Sequence, residues 1–131
     1  MELNITFGKG KRVDAEVNGF TIRTDQSVAG GGEASAPEPF TYFLSSIGTC
    51  AGIYVLGFCQ ARSIPTDEIR LTQRVEYDRE KHRLSRVAID IHLPASFPDK
   101  YRDAVRRAAE TCAVKRAILD PPDFVIETKL G

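Results

Sequence analysis

PFTYFLSSIGTCAGIYVLGFCQA, residues 39–61, contains no charged side chain. A stretch this long and this apolar is either a membrane span or a helix covered on every face by protein. Ser45, Ser46, Thr49 and Gln60, the opening Pro39 and the lack of a basic cluster marking one end argue against a span. The expectation is therefore a buried helix over about residues 39–62. Pro39 stands in the first turn, where its missing N–H costs nothing, and Pro65 is the stop.

On the N-terminal side, residues 25–38 (DQSVAGGGEASAPE) form a loop rich in Gly, Ser and Ala. Its GGGE run lacks the Gly-Lys-Ser/Thr of a phosphate loop, which argues against nucleotide binding. Residues 2–7, 12–17 and 20–24 alternate as strands do, and Asn18-Gly19 favours a primed hairpin turn. On the C-terminal side, residues 68–77 and 85–93 alternate as a second antiparallel pair around the charged turn 78–82. Pro94 and Pro98 bracket a break. A helix follows over about 98–110, with Tyr101, Val105, Ala108 and Cys112 along one face. AVKRAIL continues as a helical turn or two, Pro121-Pro122 stops it, and FVIETKL at 124–130 is expected as a last strand.

Strands, long helix, strands, helix and strand, without βαβ alternation, make an α+β class, read as a single domain over residues 1–131. One chain of this size offers little to wrap a helix that is apolar all round, so a second copy is expected to complete the cover. Gly48 and Gly52, four residues apart, permit close approach of helix backbones.

Lys+Arg and Asp+Glu both number 18, so there is no net charge to draw nucleic acid or anionic lipid. Arg102, Arg106, Arg107, Lys115 and Arg116 are offset by Asp99, Asp103 and Glu110, as on a solvated helix face. No apolar run of signal-peptide length opens the chain, which reads as cytoplasmic, with neither membrane nor nucleic acid as partner. Three cysteines are an odd count for a disulfide-framed secreted domain. They lie 9 and 53 residues apart with no C-x-x-C. Of the histidines, His82 and His92, the second is expected to face solvent, so no metal site is expected.

A working cysteine must be a thiolate, favoured by a nearby cation or a helix N-terminus and disfavoured by apolar burial. Cys50 lies among Phe43, Ile47, Ile53 and Tyr54 at helical spacing, an apolar wall. Cys112 lies on the apolar face of its helix, where Thr111 is expected to cap a fresh turn, with Lys115 and Arg116 near. For both, plain core packing is the competing reading. Cys59 falls half a turn out of phase with Cys50 and is read as core.

The segments APEPFTYFLSSIGTCAGIYVLGF and RRAAETCAVKRAI resemble the two cysteine segments of the OsmC/Ohr family. The element order agrees over nearly the whole chain. The resemblance implies an intertwined homodimer of OsmC-like fold, with antiparallel sheets around long central helices. It implies a thiol peroxidase acting on organic, alkyl or fatty hydroperoxides in oxidative-stress defence. Cys50 would become a sulfenic acid, Cys112 would resolve it as a disulfide, and a dithiol reductant, lipoyl-type among the candidates, would regenerate the enzyme. No cofactor is implied.

Phe40, Phe43, Ile47 and Tyr54 would line the substrate pocket. Peroxidase members pair an early-strand arginine with a glutamate ten residues before the first cysteine. Here Phe40 holds that position, and the nearest acid is Glu38. Arg12 is the candidate arginine, with Lys11 or Arg23 as substitutes. The alternative is a non-catalytic member that binds an apolar small molecule in the same dimer-interface pocket.

Overall fold

The computed structural model describes residues 1–131, which fall into two compact units, residues 1–45 and 46–131. In the first, β1 (Asn4–Phe7), β2 (Val13–Val17) and β3 (Phe20–Thr24) form an antiparallel meander in the order β1-β2-β3. Asn18 and Gly19 take φ of 51° and 80°, the left-handed pair that a primed turn needs, and so set Val17 opposite Phe20. After β3 comes a loop folded on itself, with Asp25 N–H bonded to Pro37 O and Ala34 N–H to Gln26 O. The helix α1 (Pro39–Gln60) starts here. Tyr42 Oη donates to Arg23 O at 2.7 Å, tying the first helical turn to β3.

The second unit holds the rest of α1, the hairpin β4 (Arg70–Asp78) and β5 (Arg83–His92), α2 (Arg102–Glu110) and α3 (Ala113–Leu119). A 3-10 turn, Asp99–Tyr101, leads into α2. Asp78 Oδ1 accepts the Glu80 and Lys81 N–H groups and builds the tight β4–β5 turn. Val55, Cys59, Phe97 and Val105 form the core, joined by Leu71 and Ile91 from the hairpin and Tyr101 from the 3-10 turn. The α2 face expected from the sequence holds, since Val105 and Cys112 are buried and Tyr101 and Ala108 are partly so.

Within the single chain the long helix is covered along one side. Ile47, Ala51, Val55 and Cys59 form one buried stripe at four-residue spacing, and Ile53 is 57% exposed. By length and composition alone this helix would suffice to cross a membrane, yet Val55 and Cys59 of its buried stripe pack in the core of the second unit. Gln73 of β4 lies against Gly48, and a Cβ built there would collide with Gln73 Oε1, while a Cβ built at Gly52 would meet nothing within 4 Å.

FVIETKL forms no strand. Phe124 is 84% and Ile126 95% exposed, because a β-prone segment makes a strand only where an edge pairs with it. His92 is half-buried rather than solvent-facing, with Nε2 2.9 Å from Thr72 Oγ1 across the hairpin.

Candidate active site

Cys50 sits at mid-α1, one residue before buried Ala51, on the flank of the buried stripe and partly exposed. Ile47 is buried and Tyr54 half-buried on the same helix. Phe40 and Phe43, at the helix start, are 47% and 38% exposed, with ring centroids 5.5 Å apart.

Cys112 is buried and lies in the short link between α2 and α3. Thr111 is not the cap of α3, because its hydroxyl turns back to Ala108 O. Cys112 takes that place in extended conformation, and its Sγ accepts the Lys115 N–H at 3.3 Å. The sulfur thus occupies the site where Ser or Asp oxygens usually receive the first free amides of a helix.

Cys59 is fully buried in the core, where desolvation pushes its thiol above the ordinary value and the Arg62 guanidinium only partly offsets this. A thiol so placed stays protonated and inert. No group of three or more His, Cys, Asp or Glu side chains is placed to hold a metal ion.

Arg12, just before β2, does not pair with Glu38. Its Nη2 donates to Glu33 Oε2 at 2.9 Å and its Nε to Ser35 Oγ at 3.0 Å, with Asp25 Oδ2 3.9 Å from Nε. Glu38 instead uses its backbone carbonyl, which accepts the Thr41 and Tyr42 N–H groups at the start of α1. Lys11 and Arg23 are exposed.

The sequence reading missed Asp25, 1% exposed and the one buried charge. It accepts the Ser35 hydroxyl at 2.5 Å and the Gln26, Ser35 and Glu33 N–H groups at 2.7, 3.1 and 3.3 Å. An Asp heading a Gly/Ser-rich loop was the available signal, since such side chains bond to nearby backbone.

These bonds, that from the Ser35 hydroxyl foremost, hold the Asp25 carboxyl down to about 2 from its usual 3.8. A carboxylate held below its unfolded value stabilises the fold above that value and loses the contribution as pH falls through the folded one. The stability advantage of wild type over Asp25→Asn is therefore expected to shrink as pH falls from about 3.8 to about 2. Urea unfolding at a series of pH values checks this, and an advantage unchanged across that window would contradict it.

Crystal structures of three bacterial proteins share the fold. A Psychrobacter arcticus protein described as osmotic stress induced and of the detoxification response aligns at 20% identity over 88% of this chain and 85% of its own, with TM-score 0.75. The Legionella pneumophila organic hydroperoxide resistance protein OsmC aligns at 20% identity over 89% and 87%, with TM-score 0.62. An organic hydroperoxide resistance protein of Vibrio cholerae, with captopril bound in one of its active sites, aligns at 20% over 90% and 84%, with TM-score 0.62. No curated protein sequence matches the chain. Residues 30–127, which include both Cys50 and Cys112, match the model of the family described as OsmC-like protein, and the chain belongs to that family.

Proposed function

We propose that the protein is a thiol-dependent reductase of organic hydroperoxides, working as a homodimer in the cytoplasm. The observation that carries this is the contrast among its cysteines. Cys50 is partly exposed on an apolar helix, Cys112 is buried with its sulfur in a backbone hydrogen bond, and Cys59 is shut in the core with a raised pKa. The names of the Legionella and Vibrio proteins support the substrate class.

The Cys50 thiolate attacks one peroxide oxygen. An S–O bond forms, the O–O bond breaks, and the alcohol leaves with a proton. The Cys112 thiol then attacks the Cys50 sulfenic acid, forming a disulfide and releasing water. A dithiol reductant, lipoyl-type among the candidates, takes the oxidising equivalents and restores both thiols. In this reading Arg12 and Glu38 are the charged groups assigned to the reaction, and Phe40, Phe43, Ile47 and Tyr54 receive the alkyl group.

The dimer reading is supported by apolar side chains left open within one chain. Phe40, Phe43 and Ile53 on α1 and Phe124, Val125 and Ile126 in the tail are all more than a third exposed. Side chains of this kind in quantity mark an interface. Sedimentation equilibrium is expected to give twice the chain mass, and Ile53→Glu to shift it toward the monomer.

The chemical test adds one equivalent of cumene hydroperoxide to the reduced protein and maps cysteines by peptide mass spectrometry. The expected product is a Cys50–Cys112 disulfide with one equivalent of alcohol. An unoxidised Cys50, with apolar ligand retained after loss of both thiols, would instead identify a binding protein.

A further inference from the structure

Two duties meet on the Cys112 sulfur. It is the resolving thiol of the proposed cycle, and it is also the N-cap of α3, where it accepts the Lys115 N–H at 3.3 Å. Helix α3 has little else to hold it. It is seven residues long, and none of its side chains is buried. Val114 is half-buried, while Ile118 and Leu119 stand open. A helix of two turns does not persist on propensity alone, so each satisfied amide at its start counts. Thr111, the neighbouring side chain able to cap, is already bonded to Ala108 O. Beyond Leu119 the chain passes through Asp120, Pro121 and Pro122 into an exposed tail, which adds no anchor.

We propose that α3 is a redox-sensitive element, fastened by the Cys112 sulfur in the reduced protein and loosened when that sulfur enters the disulfide. This deepens the reading given above and rests on it. In the step concerned, Cys112 gives up its thiol proton and bonds to the Cys50 sulfur, and the sulfenic hydroxyl leaves as water. The hydroperoxide is the oxidant, already consumed at Cys50. The new bond then decides where the Cys112 sulfur sits and which way its lone pairs point. A covalent bond outweighs one hydrogen bond from an amide to sulfur, so where the two geometries differ the cap gives way. Loosening also serves access. Cys112 is 2% exposed, and a dithiol that attacks its sulfur must first reach it.

The test is amide hydrogen exchange of the full chain, read by mass spectrometry on peptides covering residues 113–119. The protein is compared fully reduced and after one equivalent of tert-butyl hydroperoxide. Exchange in α3 is expected to quicken about fivefold on oxidation, the worth of one helix cap, while the β4–β5 hairpin keeps its rate. Reduction with dithiothreitol restores the slow exchange. Two variants separate the cap from the chemistry. Cys112→Ala is expected to show the fast exchange before any peroxide is added. Cys112→Ser keeps an oxygen at the cap and forms no disulfide, so its α3 is expected to exchange slowly before and after peroxide.

A Cys50–Cys112 disulfide found by peptide mapping, with α3 exchange unchanged, would overturn the switch and leave the peroxidase reading intact. Slow exchange in reduced Cys112→Ala would also overturn it, since the sulfur would then not be what holds α3. A rise of equal size in peroxide-treated Cys112→Ser would trace the loosening to oxidised Cys50 and overturn it too. Absence of the disulfide after peroxide would overturn this inference together with the reading beneath it.

Discussion

Cys50→Ser is expected to lower hydroperoxide consumption by at least about a thousandfold, because removing a nucleophile leaves only binding and electrostatic contributions. A serine hydroxyl fits the helix but does not supply a thiolate, the species that attacks. Cys112→Ser separates the second step from the first. It is expected to consume one equivalent of hydroperoxide at near wild-type rate and then stop, with a sulfenic acid on Cys50 that dimedone traps.

Serine is the right replacement there because Cys112 Sγ caps α3 through the Lys115 N–H. A serine oxygen fills that role, whereas Cys112→Ala leaves the amide unpaired and costs about 1 kcal/mol. Cys59→Ala, in the core, is expected to keep both chemical steps. Full turnover in Cys50→Ser would end the peroxidase mechanism. Full turnover in Cys112→Ser with Cys50 still required would replace Cys112 by an external thiol.

Phe97→Ala is expected to be the most destabilising single change in the second unit, at about 3–5 kcal/mol. Phe97 is buried and packs with Val55, Cys59 and Val105, so its ring joins α1 to α2. A loss of that size is a large part of the total for a protein of this length. In urea, where the slope is about 1–3 kcal/mol per molar, the midpoint falls by more than about 1 M at fixed protein concentration. A fall of less than about 0.3 M would mean that the surrounding side chains collapse into the space, and that Phe97 does not organise this core.

Features carried by single residues or short spacings are legible in the amino-acid sequence itself. Asn18-Gly19 makes its turn because the two φ angles it requires are local properties of those residues. The α1 start at Pro39 and the apolar face of α2 follow from the same kind of local rule. Cys59 as core follows from its phase, since nine residues of helix set it half a revolution from Cys50. The two cysteine segments are enough to suggest the family, which the match over residues 30–127 establishes.

What only the tertiary structure decided depends on partners far away in the chain. FVIETKL is rich in β-formers but has no edge to pair with, and composition alone holds no strand. The α1 helix is apolar all round, yet one face alone is buried because a single chain brings only one surface to it. Cys112 rather than Thr111 caps α3, since the choice turned on which side chain points forward after α2 ends. Above all, the acid nearest Cys50 in sequence is not the one that meets Arg12. Glu33 and Ser35 reach it because the loop folds back 21 to 23 residues along the chain, a closure no local pattern records.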